Sequence, residues 1–137
     1  MPDQVIKIIR NEYGTLMKPN LHDGFVLGVM LQKDGSVNIN MSDEDHNEYI
    51  TMNCQGLDAL YVSNFMETNI LFDIRIRKAM SISGSELKKI IAEMYGQGDF
   101  IPFQRWQKST LLVTEISPSL GCTIIVICEE IRFLQRN

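Results

Sequence analysis

The chain has 137 residues, 45% of them apolar and 22% charged, enough for one globular core and too few for two. Its net charge of −4 and pI near 5.1 speak against a free-standing nucleic-acid binder, which presents a basic face. No stretch reaches the ~18 consecutive apolar residues of a membrane span, and Met1-Pro2-Asp3-Gln4 lacks the basic and apolar regions of a secretory leader. A nuclear or cytoplasmic protein without membrane association is expected.

Residues 3–13 read as a helix, because Val5, Ile8 and Ile9 fall at i, i+3 and i+4 with Lys7, Arg10 and Glu12 mostly off that stripe. Gly14 ends it, Pro19-Asn20 breaks the chain, and Asp23-Gly24 signals a hairpin turn. Phe25–Leu31 is dense in β-formers, Asp34-Gly35 makes a second turn, and Val37, Ile39 and Met41 alternate with polar residues as in a half-buried strand. Ser42–Glu48 is an acidic, solvated loop without the central Gly and terminal Glu of a calcium loop. Strands are expected over Tyr49–Cys54 and Leu57–Val62. In the next strand Ile70, Phe72, Ile74 and Ile76 should face a core, and Asp73, Arg75 and Arg77 should face water.

The second half opens with a capping box. Ser83 should accept from the Glu86 amide while Glu86 reaches back, and Leu87, Ile90, Ile91 and Met94 continue a helix that Gly96 stops. Gly98–Lys108 reads as an ordered loop. Thr110–Ile116 and Cys122–Phe133 read as two strands around Ser117–Gly121.

Chemistry is sparse. Cys54, Cys122 and Cys128 have no Cys-x-x-Cys or metal-ligand spacing and read as buried thiols, so no metal is expected. His22 and His46 lie in polar loops, and no Gly-x-Ser-x-Gly, phosphate loop or His-Glu-x-x-His is present. Glu129 and Glu130, adjacent on a strand, would point to opposite faces. No catalytic residue, cofactor or enzymatic activity is expected. Phe100, Phe103 and Trp106 close a core in the first reading; beside Arg75, Arg77, Lys78, Lys88, Lys89, Arg105 and Lys108 they also have the composition of an interface or a single-strand nucleic-acid platform.

One constellation resembles a known family. Gly28, Asp34 and Asn38, with the apolar Val26, Met30, Val37, Ile39 and Met41 and the preceding Leu21-His22-Asp23-Gly24, are similar to the first motif of the Sm and Sm-like proteins. In the second motif Asn69 and the strand from Ile70 fit, but the Arg-Gly pair is missing, and Ser36 stands where a base-stacking residue would be. The resemblance covers about residues 3–78. It implies an N-terminal helix and a strongly bent five-stranded antiparallel barrel over 1–79, with 80–137 a helix and β-hairpin extension on the same core. It further implies RNA contacts from Asn38, Asp34 and Asn69. Ile70, Phe72, Ile74, Arg75 and Arg77 would form an edge strand that pairs with other Sm-fold or assembly proteins. The chain would then be a non-enzymatic subunit of a homo- or hetero-oligomer in a ribonucleoprotein or RNA-processing complex, touching RNA indirectly and resembling the Gemin type of assembly factor. Two alternatives stand: a profilin-like α+β adaptor, with 80–137 integral and the C-terminal strand beside Phe25–Leu31, and an Sm ring subunit that binds single-stranded RNA directly.

Overall fold

Residues 3–96 and 103–136 are described by the structure, a computed structural model. Its strands are β1 (Gln4–Ile6), β2 (Ile9–Arg10), β3 (Leu16–Lys18), β4 (Phe25–Leu31), β5 (Val37–Ser42), β6 (Tyr49–Gln55), β7 (Ala59–Ser63), β8 (Ile70–Lys78), β9 (Leu112–Leu120), β10 (Thr123–Cys128) and β11 (Glu130–Gln135), with helices α1 (Gly84–Tyr95) and α2 (Phe103–Gln107). Nine strands form one antiparallel sheet in the order β1-β11-β6-β5-β4-β8-β9-β10-β7, and β2 pairs with β3 separately. This architecture replaces the expected N-terminal helix and five-stranded barrel. Nor does the C-terminal strand lie beside Phe25–Leu31, since β6 and β5 separate β11 from β4.

The helix expected over 3–13 gives way to β1 and β2. Val5, Ile8 and Ile9 are β-branched and stiff in χ1, which favours extended backbone, and the edge of β11 offers hydrogen bonds. Gln4, Val5 and Ile6 pair there with Gln135, Leu134 and Phe133. Val5 and Ile9 stay 59% and 53% exposed while Ile8 packs against the core, so the supposed helical stripe is not buried as one face. Asp23-Gly24 does make a turn, with Gly24 N donating to Leu21 O at 2.9 Å, but it feeds β4 towards β8 and joins no hairpin.

The sheet curls on itself because two chain segments cross from one half to the other. β6 continues into β7 through 56–58, β10 continues into β11 through Glu129, and the two bent segments pair on both sides of the corner. There Glu129 N donates to Gln55 O at 3.0 Å and Gly56 O at 3.2 Å. Gly56 has φ +64, and a Cβ on it would meet the Glu129 side chain at 2.6 Å, so this bend requires glycine. The single strand expected over Cys122–Phe133 is therefore two.

Inward side chains of both halves share one core, from Ile39, Met41 and Met52 across to Ile74, Ile116 and Ile124. A second core lies on the outer face of β9 and β10, where Val113, Ile125 and Ile127 pack under Leu87, Ile90 and Trp106 of the helices. Residues 124–128 are an unbroken apolar run because both faces of β10 are covered. Residues 112–135 thus supply interior strands of the same sheet as 25–78, and no boundary of the sheet falls near residue 79.

In β8 the register slips between Ile70 and Leu71 and again between Leu71 and Asp73. These bulges turn Leu71 inward (1% exposed) and Phe72 outward (51%), against the expected alternation, which resumes at Ile74 and Ile76. Ser83 caps α1 by accepting from Glu86 N at 3.2 Å. Gly96 closes the helix at φ +77, its N–H donating to Ala92 O at 2.7 Å. The Glu86 carboxylate does not complete the capping box; it turns to Arg75 and Arg77.

Where a loop was expected, α2 drops Trp106 (0% exposed) into the second core. Its Nε1 donates to Asp58 Oδ2 at 2.6 Å, and Arg105 Nη1 donates to Oδ1 at 2.7 Å. Phe100 and Pro102 lie outside the described residues. Among those described, no helix is long and apolar enough to cross a membrane.

Candidate functional site

β4 has the least complete pairing of the strands inside the sheet. It matches β5 along its whole length, from Phe25↔Ser42 to Leu31↔Val37, but meets β8 only at Phe25↔Ile70. The two strands run antiparallel, so residues 27–31 pass beyond the start of β8. Val26 N still donates to Asn69 O at 3.0 Å; among the described residues no strand follows on that side. Leu27, Met30 and Leu31 are 46%, 60% and 65% exposed, and Phe25–Leu31 contains no charge and no proline. A register shift between Val26 and Gly28 leaves Leu27 as the extra residue of a bulge.

Past Phe25↔Ile70, this same flank of β8 is filled from the N-terminal segment, while β9 covers the opposite flank. Leu71 exchanges backbone hydrogen bonds with Asp23 (2.9 Å) and Gly24 (2.8 Å), and Ile76 N donates to Gly14 O at 2.8 Å. Between these points the chain bows out and leaves a cavity of about 420 Å³, walled by Leu16, Met17, Leu21, Leu71, Phe72 and Ile74. His22 stands at its rim, its Nδ1 2.6 Å from Phe72 O and its ring edge-on to that of Phe72 at 5.6 Å.

The five residues expected at a partner interface are therefore placed differently from one another. Ile70 is half-buried, Ile74 is 2% exposed, and Phe72 is 51% exposed with its ring against His22. Arg75 meets Glu86 at 3.4 Å, and Arg77 lies between Glu86 (3.0 Å) and Glu115 (2.6 Å). The Arg77 guanidinium holds the Glu86 carboxyl below the usual carboxylate range. β8 is an interior strand, covered by β9 along one side, and its bulges spend its side chains on the core and on ion pairs. The open edge belongs to β4.

Of the three residues expected to touch RNA, two stand together. Asp34 Oδ1 accepts from Ser36 N at 2.9 Å and from Ser36 Oγ at 2.6 Å, bonds that brace the β4–β5 turn and hold the carboxyl below its ordinary range. Asn53 Nδ2 donates to Asn38 Oδ1 at 2.6 Å and to Ser36 Oγ at 3.3 Å. Asn69 lies apart, 3% exposed. Its Oδ1 accepts from Met66 N (2.9 Å) and Cys122 N (3.0 Å), and its Nδ2 donates to Met66 O (2.7 Å). It fastens two loops together and faces no solvent.

Ser36 is 3% exposed and belongs to this polar chain. Sequence reasoning missed Asn53 and Arg132, which only the strand register brings beside Asn38. It also missed the β4 edge, although a seven-residue strand without a charge was visible. Cys54, Cys122 and Cys128 are buried free thiols, and the described residues contain no group of three side chains able to hold a metal. Compared with known protein families, with curated proteins and with solved structures, the chain matches none.

Proposed function

We propose that the protein is a non-enzymatic interaction module that docks an extended segment of a partner protein onto the free edge of β4. The observation that carries this reading is the one-sided pairing of residues 27–31. An unpaired strand edge is a template for a further strand, and native chains usually blunt it with charge, proline or a covering element. Among the described residues β4 has none of these along 28–31, and the one other blunting device, the bulge, is confined to Leu27. Strand addition would draw affinity from main-chain hydrogen bonds and selectivity from the side chains on each face, here Met30 on one face and Leu31 on the other, with Leu27 at the bulge. The other two free edges are weaker templates, since β1 has three residues and β7 is flanked by the Asp58–Arg105 ion pair. The Sm-type ring that the first motif implied does not carry over, because its five-stranded barrel is not the fold.

The test is site-specific photocrosslinking in the native cells, with the crosslinker at Leu31 or, as control, at Lys89 on α1. A protein adduct at Leu31 that is absent at Lys89 and lost in Leu27→Lys/Met30→Lys supports the reading. No adduct specific to Leu31, or one that survives the double substitution, overturns it.

A further inference from the structure

The Phe25 end of the free β4 edge collects carboxylates from three loops, and the strand register brings them there. Phe25 lies opposite Ser42 on one side and Ile70 on the other, so the loops that adjoin those residues meet beside it. The 43–48 loop carries Asp43, Glu44, Asp45 and Glu48. His46 fastens that loop over β4: its ring stacks on Phe25 at 4.6 Å and 9°, and its Nδ1 lies 3.2 Å from Ser42 Oγ. Asp23 precedes β4, its N–H donating to Leu71 O at 2.9 Å. Glu67 stands two residues before Asn69, whose carbonyl accepts from Val26 N. None of these carboxylates forms an ion pair with Lys or Arg among the described residues; Asp23 has His22, at 3.6 Å. At the other end of the edge the β4–β5 turn carries Lys33 and Asp34, which offset one another.

A strand laid along this edge has to cover Leu27 and Met30, which are 46% and 60% exposed, and to answer a negative field. Lys and Arg do both, since their long stems cover apolar surface while the charged heads stay in water. An acidic strand or a nucleic acid would bring like charge to the carboxylates, and a second copy of this chain, at net −4, would bring the same carboxylates again. Among the described residues the carboxylates form no group able to hold a metal ion. They act as a spread field on whatever approaches the edge.

We propose, resting on the strand addition proposed above, that the segment received by β4 is basic: an extended stretch of a partner protein with Lys or Arg flanking its strand at the Phe25 end. The field reaches about 8 Å into physiological salt. It speeds the encounter with a basic segment and rejects an acidic one, while the main-chain hydrogen bonds of the edge hold what has docked.

The test uses the purified full chain with the photocrosslinker at Leu31 and three synthetic peptides of one Val-Thr repeat, flanked by Lys, Gln or Glu. At low salt the Lys-flanked peptide should give at least about tenfold more adduct than the Glu-flanked one. The ratio should fall towards one in about 1 M salt. Glu44→Gln/Asp45→Asn should remove most of the difference. Glu93→Gln/Glu130→Gln, an equal change of charge at exposed positions on α1 and β11, should not. Equal adducts from all three peptides, or equal effects of the two double variants, overturn the basic assignment and leave the edge reading standing. Absence of any adduct, or a Gln-peptide adduct that survives Leu27→Lys/Met30→Lys, overturns the edge reading and this assignment with it. A crosslink between two copies of the chain that shuts out the peptides overturns the assignment in favour of a second copy.

Discussion

Replacing Asn69 with alanine separates a scaffold role from a recognition role. In the folded chain the Asn69 amide makes three hydrogen bonds, two to Met66 and one to Cys122 N. Met66 is 43% exposed, so water can replace its two bonds, at a net loss of about 0.5–1 kcal/mol each. Cys122 is 1% exposed; its stranded N–H should cost about 1–3 kcal/mol. The expected loss is then about 2–5 kcal/mol, a large part of the ~5–15 kcal/mol that holds a typical domain. Urea unfolding followed by the fluorescence of Trp106, the single tryptophan, reads it as a lower midpoint at unchanged m-value. A variant within about 1 kcal/mol of wild type would refute the reasoning and return Asn69 to the candidate contact residues.

The same assay checks three further expectations. Gly121 has φ +96, and a Cβ there would run into Asn69 Oδ1, so Gly121→Ala should cost about 2–4 kcal/mol. Gly28 has no positive φ, and a Cβ added to it would meet nothing within 4 Å. Gly28→Ala should stay within about 0.5–1 kcal/mol of wild type, with stabilisation the favoured sign, and a loss above about 2 kcal/mol would show a strand contact that this backbone does not have. The hydrogen bond from Arg105 holds the Asp58 carboxyl below its ordinary range in the folded chain. The unfolded chain therefore takes up that proton more readily, and the stabilisation, complete above about pH 4, is lost as the pH falls through the folded-state value. Wild type should exceed Asp58→Asn in urea midpoint at pH 7, and the gap should narrow steadily as the pH falls below about 4; a gap independent of pH would remove the charge from the explanation.

The residues of the hydrogen-bonded chain around Asn53 were only half legible. Asp34 and Asn38 stand close in sequence on a turn and a strand with clear local signals, so a reading of spacing could select them. Asn53 sits 15 residues beyond Asn38 and Arg132 a further 79, and no motif links them. What joins them is antiparallel register across three strands, which depends on every turn between them. Asn69 failed for the opposite reason. Its neighbours suggested a surface loop, whereas the approach of Gly121 converts that loop into a buried joint. A polar residue in a loop has one appearance in sequence whether it faces solvent or fastens backbone.

The strands show the same division between local and distant causes. The Ser83 cap and Gly96 stop mark α1 because their hydrogen bonds fall within four residues. The bends at Gly56 and Glu129 depend on one another across the sheet, and neither has a turn motif of its own, so β10 and β11 read as a single strand. Phe25–Leu31 is the most instructive case. Its apolar, uncharged composition means that this strand is built to have neighbours on both edges, and a sequence says nothing of which chain supplies them. β5 covers one edge entirely, and β8 covers the other only as far as Phe25. The remainder keeps the composition of an interior strand at a position where the described residues offer no second partner, and that mismatch between composition and environment is the physical ground for the proposal that the missing strand comes from another protein.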